Sequence, residues 1–148
     1  MNMGADFTAY NKVCSTHMGY GTVHVIRACM LKMVDAIKGT SYADRFEELT
    51  MEYHNHNRTA EELEKMWKSF ISSLFDDCNG DKGLYGVYLF VDHSDCDGSF
   101  YGDDCMEIAT SLKKLLDSDI DLGYTKDAIE NLYDVFSEVG EDGMVDIC

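Results

Sequence analysis

The sequence predicts a mainly α-helical, compact single domain of about five helices, with an α+β domain that carries a small sheet as the alternative. The chain has 148 residues, of which 45% are hydrophobic and spread along its length, and this suits one domain with its own core. Apolar residues recur at helical spacing in several segments. Proline is absent, so Gly, Asn and Asp must end the elements. We therefore expect residues 1–148 to form one globular domain.

Spacing and end signals predict three helices in the first half of the chain. Tyr20–Lys38 has apolar residues at helical spacing, and Gly39 is a natural C-terminal stop. Residues 42–53 predict a shorter second helix. Thr59 and Glu62 form a capping box that opens a third helix. We expect the third to be the central core helix, with its tryptophan as a core anchor. Its apolar face consists of Leu63, Met66, Trp67, Phe70, Ile71 and Leu74.

The second half contains one ambiguous element and two further helices. Residues 84–91 read Leu-Tyr-Gly-Val-Tyr-Leu-Phe-Val. Their β-branched and aromatic content favours a strand, whereas their spacing also allows a helix, so both interpretations stay open. A helix is expected near residues 103–116, with two lysines in its last turns, where cations favour the helix dipole. A final helix is expected to start after Thr125 and to end at Gly140.

The charge balance is strongly acidic, with 28 acidic and 12 basic residues and a formal net charge of −16. It argues against direct nucleic-acid binding, which relies on cationic neutralisation of phosphate. It fits cation binding, attraction to a basic protein surface or mimicry of nucleic-acid charge, with solubility alone as the plain alternative. No apolar run approaches the roughly 18 residues of a membrane span, and residues 1–8 lack signal-peptide features. We therefore expect a cytoplasmic protein without membrane contact.

Six cysteines are present, and we expect them to be free thiols because no secretory signal precedes them. No C-x-x-C pair occurs, which argues against a zinc ribbon or a thioredoxin-type site. One of them falls within an apolar helical pattern and is expected to be a small core residue. The cysteines are Cys14, Cys29, Cys78, Cys96, Cys105 and Cys148, of which Cys29 is the expected core residue.

Residues 93–104 resemble the calcium-binding loop of EF-hand proteins when Gly98 is set at position 6. Alternating carboxylates on a tight loop converge on one point, and a hard divalent cation neutralises oxygens that otherwise repel each other. Calcium is therefore the expected ion, with magnesium or zinc less favoured. The ligand positions fall on His93, Asp95, Asp97, Ser99 through its backbone carbonyl, Tyr101 and Asp104.

Two positions depart from the EF-hand pattern and keep alternatives open. His93 supplies nitrogen where calcium prefers a carboxylate, and Asp104 is shorter than the usual bidentate glutamate, which favours low affinity or magnesium. One alternative is a solvated turn that caps the next helix through Asp103 or Asp104. Another is a zinc site. Its ligands would be His93, Cys96 and Cys105, with Cys78 as the fourth.

The segment around this loop also resembles a group of small proteins. Residues 91–98 read Val-Asp-His-Ser-Asp-Cys-Asp-Gly, and Cys105 and an Ile-Ala pair follow. This stretch resembles small uncharacterised bacterial and phage proteins with an N-H-S-D-C-D-G-type segment. Asp92 stands where they have asparagine, and Asp104 where they often have glutamate. The resemblance covers some twenty residues and implies no activity.

These observations predict a non-enzymatic, acidic binding protein with a divalent-cation loop. A second hypothesis is a phage-type inhibitor of a host defence system, which would bind a basic host protein by charge mimicry or sequester a small signalling nucleotide. A sequestering protein would need a deep aromatic pocket, formed by Tyr20, Tyr53, Tyr85 or Tyr88. A third hypothesis is a metal-dependent hydrolase that uses the same loop.

Overall fold

The structure is a computed structural model that describes residues 4–9, 14–94, 97–139 and 143–148. Within these ranges the chain is mainly helical and carries a small four-stranded sheet, which fits the alternative prediction of a helical domain with a small sheet, and it has six α-helices where about five were expected. Crossing a membrane would require a longer or more apolar helix than any in these ranges. The helices are α1 (Tyr20–Lys38), α2 (Tyr42–Asn55), α3 (Ala60–Cys78), α4 (Tyr85–Asp92), α5 (Gly102–Leu116) and α6 (Lys126–Glu138). The strands are β1 (Gly4–Ala9), β2 (Ser15–Gly19), β3 (Ser99–Tyr101) and β4 (Met144–Ile147).

Several helix ends lie where the sequence signals place them. α1 has the predicted bounds, and Gly39 follows it with a φ of +69° and donates its N–H to the Asp35 carbonyl. The capping box at the start of α3 is present, with the Glu62 amide 3.1 Å from the Thr59 hydroxyl. α6 begins directly after Thr125. Its predicted stop at Gly140 lies outside the described ranges.

The sheet is antiparallel, with the strand order β2-β1-β4-β3. One face is apolar and packs on the helices, as expected for a sheet that covers a core on one side only. Its buried residues are Ala5, Phe7, Ala9, Met18, Phe100, Val145 and Ile147. β4 lies between β1 and β3, so it joins the first strand of the chain to the loop that precedes α5.

Four phenylalanines connect this sheet to the helical core. Phe7 of β1 and Phe100 of β3 face Phe90 of α4 and Phe136 of α6, with ring centroids 5.2 to 6.3 Å apart. All four rings are at most 4% exposed. Phe100 occupies position 8 of the predicted cation loop, so the second half of that loop is fastened to the core.

The ambiguous segment is helical, because α4 covers Tyr85–Asp92. The strand interpretation is therefore wrong. Gly86 brings α4 very close to α5, since a Cβ at this position would run into the Glu107 carbonyl. The Ser111 hydroxyl of α5 also donates to the Gly83 carbonyl at 2.8 Å and ties the preceding turn to the same helix.

The prediction that α3 is the central core helix is wrong for its first half. Only Phe70, Leu74 and Cys78 of α3 are buried, whereas α1 has eight buried residues and takes the central place. No residue in 47–69 is buried, and we call this segment the outer hairpin. Trp67 lies in it, half-buried. The apolar face of α3 packs against α2, as its pattern predicts. In the outer hairpin, no further helix or strand of the described residues covers the two helices, so this part of the face stays partly exposed.

Thiol accessibility gives a direct check of the core. Burial raises the pKa of the Cys78 thiol to about 12 and that of Cys105 to about 11, so both stay protonated at neutral pH and react slowly. Cys29 is buried as predicted, whereas Cys148 is exposed. In a Cys96→Ser background, every remaining cysteine lies in the described ranges. We expect a thiol reagent to label exposed Cys148 fast and half-buried Cys14 slowly. The three buried cysteines should react only in denaturant, and a fast-reacting third thiol in native protein would contradict this core.

Candidate functional site: the loop between α4 and α5

The predicted cation loop lies between two helices, as an EF-hand loop requires. α4 ends one residue before loop position 1, β3 covers positions 7 to 9, and α5 begins at position 10. Gly98, at position 6, has a φ of +96°. Glycine adopts this left-handed conformation without steric cost, and an EF-hand loop needs it there for its sharp turn. Outside residues 95–96, which are not described, the backbone of this segment thus has the order of elements and the bend of an EF-hand loop.

The pairing of β3 with β4 turns the Ser99 carbonyl toward the loop. The Gly98 carbonyl accepts from the Ile147 amide, and the Gly102 amide donates to the Gly143 carbonyl, both at 2.9 Å. Bonding directions alternate along an antiparallel strand, so the carbonyl of Ser99 points away from β4. This carbonyl is the backbone ligand at position 7 in the predicted calcium site.

The His93 imidazole lies inside the loop and binds this carbonyl. Its Nε2 is 3.0 Å from the Ser99 oxygen and its Nδ1 is 2.8 Å from the Ser94 oxygen. The ring stacks on Phe100 with centroids 4.0 Å apart, and a Cβ on Gly98 would lie 3.0 Å from its Cε1. The His93 ring therefore fills the space in which the sequence predicted a metal ion.

The described side chains among the remaining predicted ligands are exposed to solvent. Asp97 and Asp104 are exposed, and neither carboxylate forms a hydrogen bond or ion pair within the described ranges. Tyr101 is 64% exposed. Asp95 lies outside the described residues. Among the described side chains, no group of three or more His, Cys, Asp or Glu could hold a metal ion, so the oxygens available to a hard cation are two carboxylates and the Ser99 carbonyl.

The described cysteines of the alternative zinc set belong to the core. The Cys105 thiol is buried and lies 3.3 Å from the Phe100 carbonyl, to which it donates. Cys78 is buried at the end of α3. Zinc binds the thiolate, and burial raises the pKa of both thiols, which opposes thiolate formation. Cys96 lies outside the described residues.

The first turn of α5 contains two of the predicted carboxylates. Asp103 and Asp104 lie there, where negative charge favours the helix dipole. The N-cap residue is Tyr101, whose side chain makes no capping hydrogen bond. The predicted capping role is thus limited to the interaction of the charges with the dipole, which leaves both carboxylates exposed to solvent.

Arg27 of α1 holds the start of the loop, and sequence reasoning missed it. Its Nη2 donates to the His93 carbonyl at 2.5 Å and to the Phe90 carbonyl at 3.3 Å. Its guanidinium carbon also lies 5.6 Å from the centre of the Phe90 ring. These carbonyls lie at the C-terminal end of α4, where a positive charge interacts favourably with the helix dipole. The available signal was a lone arginine between Ile26 and Ala28 in an otherwise apolar helical pattern.

Comparison with known proteins assigns no family to this geometry. Neither protein-family models nor curated proteins nor solved structures give a match to the chain. The function is therefore inferred from the residues of this chain.

Proposed function

We propose that the protein is a non-enzymatic, acidic binding protein whose loop at residues 93–104 holds a hard divalent cation, calcium in the first place. The observation that carries the proposal is the direction of the Ser99 carbonyl. It points into a loop that also provides the carboxylates of Asp97 and Asp104, which have no partner in the described ranges. Carboxylate and carbonyl oxygens are the ligands of Ca²⁺ and Mg²⁺.

The cation and His93 compete for one carbonyl oxygen. Nε2 lies 3.0 Å from the Ser99 oxygen, and the ring fills the space in front of this carbonyl, so a cation reaches that side of the oxygen only after the ring has moved away. Cation binding is therefore coupled to a movement of the ring, and the affinity should be low.

Replacing His93 by aspartate is expected to strengthen calcium binding at least tenfold, which is about 1.4 kcal/mol. The substitution supplies a carboxylate at position 1 and leaves the Ser99 carbonyl free for the cation. Isothermal titration calorimetry with calcium and magnesium would measure the gain, and adding Asp97→Asn to His93→Asp should remove most of it.

The matched control is His54→Asp. It makes the same change of residue type at an exposed position near the end of α2. If this control strengthens calcium binding as much as His93→Asp, the gain comes from net charge and the loop is not the site. An unchanged affinity in His93→Asp would also refute the proposal.

A further inference from the structure

An open apolar groove of about 480 Å³ runs along the outer hairpin between α2 and α3. Trp67 stands at its inner end, with its ring centroid 5.4 Å from that of Phe70. Tyr53 stands at its outer end and is 65% exposed. The groove is lined by Leu49, Thr50, Tyr53, Ala60, Leu63, Glu64 and Trp67.

Polar contacts hold the hairpin in shape while this apolar side stays open. The capping box starts α3, and Arg58 bridges Glu52 and Glu62 across the turn at 3.1 and 3.6 Å. Lys68 pairs with Glu64 at the edge of the groove at 3.0 Å. A contiguous apolar surface with a polar rim commonly marks an interaction site. The groove therefore has the character of a docking surface.

The charge around the groove selects among occupants. Residues 44–69 contain seven acidic and four basic side chains. Arg58 and Lys68 are already held by internal ion pairs, whereas Glu61, next to Ala60 of the groove, is exposed and makes no ion pair within the described ranges. Glu48 and the exposed Lys65 line another cavity of the hairpin together. A second copy of the chain would bring two net charges of −16 together, which opposes self-association. A basic partner gains from the same charge.

We propose that this groove binds an amphipathic helix of a partner protein, with an apolar face and basic flanks. The lining residues Ala60 to Trp67 span about 10 Å of α3 at 1.5 Å per residue, which is the length of two turns of a docked helix. A helix in such a groove makes contact through apolar residues at positions i, i+3 or i+4, and i+7. Its basic flanks would lie beside Glu61 and beside Glu64, which lines the groove and pairs with Lys68. This interaction is separate from the cation loop and does not depend on it.

The chain's single tryptophan reports on the groove directly, because Trp67 lines it. The probe is a synthetic helical peptide without tryptophan, with leucines on one face and lysines on its flanks. Titration should shift the Trp67 emission to the blue in a saturable manner that weakens with salt. Two matched peptides complete the set. One has glutamate flanks, and the other has the same composition with the leucines scattered around the helix.

Tyr53→Ala is expected to reduce the affinity for the lysine-flanked peptide at least tenfold, whereas Met51→Ala should leave it unchanged. Both residues are large, exposed and on α2, but only Tyr53 lines the groove. Leu63→Glu places a charge on the groove floor and should abolish the shift, and circular dichroism would verify its fold.

Four results would overturn the proposal. Equal binding of the glutamate-flanked peptide would show that charge does not select the occupant, and equal binding of the scattered peptide would show that no apolar face is read. Unchanged affinity in Tyr53→Ala would place the peptide elsewhere. A Tyr53-dependent dimer in analytical ultracentrifugation would assign the groove to a second copy of the chain.

Discussion

Replacing Gly86 by alanine is expected to lower the free energy of unfolding by about 3 kcal/mol. The new Cβ would run into the Glu107 carbonyl and close to the Ser111 hydroxyl of α5. A backbone carbonyl cannot move aside by changing rotamer, so α4 and α5 must separate. Because α4 and α5 flank the cation loop, the same change should also weaken calcium binding in the His93→Asp background. Urea unfolding followed by circular dichroism would measure the loss of stability.

Gly21→Ala is the matched control. Gly21 lies in the first turn of α1, and apart from its chain neighbours and the backbone of α1 itself no atom lies within 4 Å of a Cβ built there. Alanine has the higher helix propensity, so this variant should be as stable as the wild type or more stable by up to about 1 kcal/mol. Similar unfolding midpoints for the two alanine variants would mean that α4 and α5 are not in close contact.

Replacing Arg27 by methionine is expected to cost about 3 kcal/mol of stability. Methionine keeps much of the apolar stem, but the carbonyls of Phe90 and His93 lose the guanidinium that donates to them. The start of the loop then loses its link to α1. We expect the calcium affinity gained in His93→Asp to fall when Arg27→Met is added. Denaturant unfolding and calorimetry would measure the two effects separately.

Arg58→Met provides the comparison for this variant. Arg58 forms contacts with two acceptors as well, here the carboxylates of Glu52 and Glu62, but it lies on the outer hairpin and is exposed to solvent. Exposed ion pairs contribute little to stability, so its unfolding midpoint should stay close to that of the wild type. If Arg27→Met has the same midpoint as Arg58→Met, the contacts at the end of α4 contribute no more than a surface pair.

The helices were predictable where a local signal ends them. α1 combines helical spacing with Gly39, and α3 combines it with the Thr59–Glu62 capping box. The sequence of α4 has no comparable end signal and no clear polar face, because it is apolar nearly all round. Its β-branched and aromatic residues also suit a strand. Packing decided its state, since α4 meets α5 through Gly86. Propensity alone cannot anticipate that contact.

The sheet was expected only in general terms because its pairing is non-local. β1 lies near the first residue of the chain and pairs with β4 near the last. Each strand has six residues or fewer, so the alternation of apolar and polar residues is too short to be distinctive. β3 lies within the predicted cation loop itself. The residues there were interpreted as cation ligands, so a three-residue strand was not recognised.

The bend in the backbone of the candidate cation loop was predictable from the sequence, whereas the side-chain contacts inside the loop were not. Gly98 at position 6 marked the bend, and the structure gives it the positive φ that this position needs. The bond from His93 to the Ser99 carbonyl depends on β4, which turns that carbonyl into the loop. The other fixed point, Arg27, is 66 residues from the carbonyl it contacts. Local spacing contains neither piece of information.

The most direct test of the cation proposal is a calcium titration of wild-type protein and of His93→Asp in which the ¹³C chemical shift of the Ser99 carbonyl is measured at each calcium concentration. We predict a saturable shift of this carbonyl in both proteins, at millimolar calcium in the wild type and at lower concentration in the variant. A Ser99 carbonyl whose shift stays constant in both proteins up to millimolar calcium would contradict the proposal that this loop binds a divalent cation.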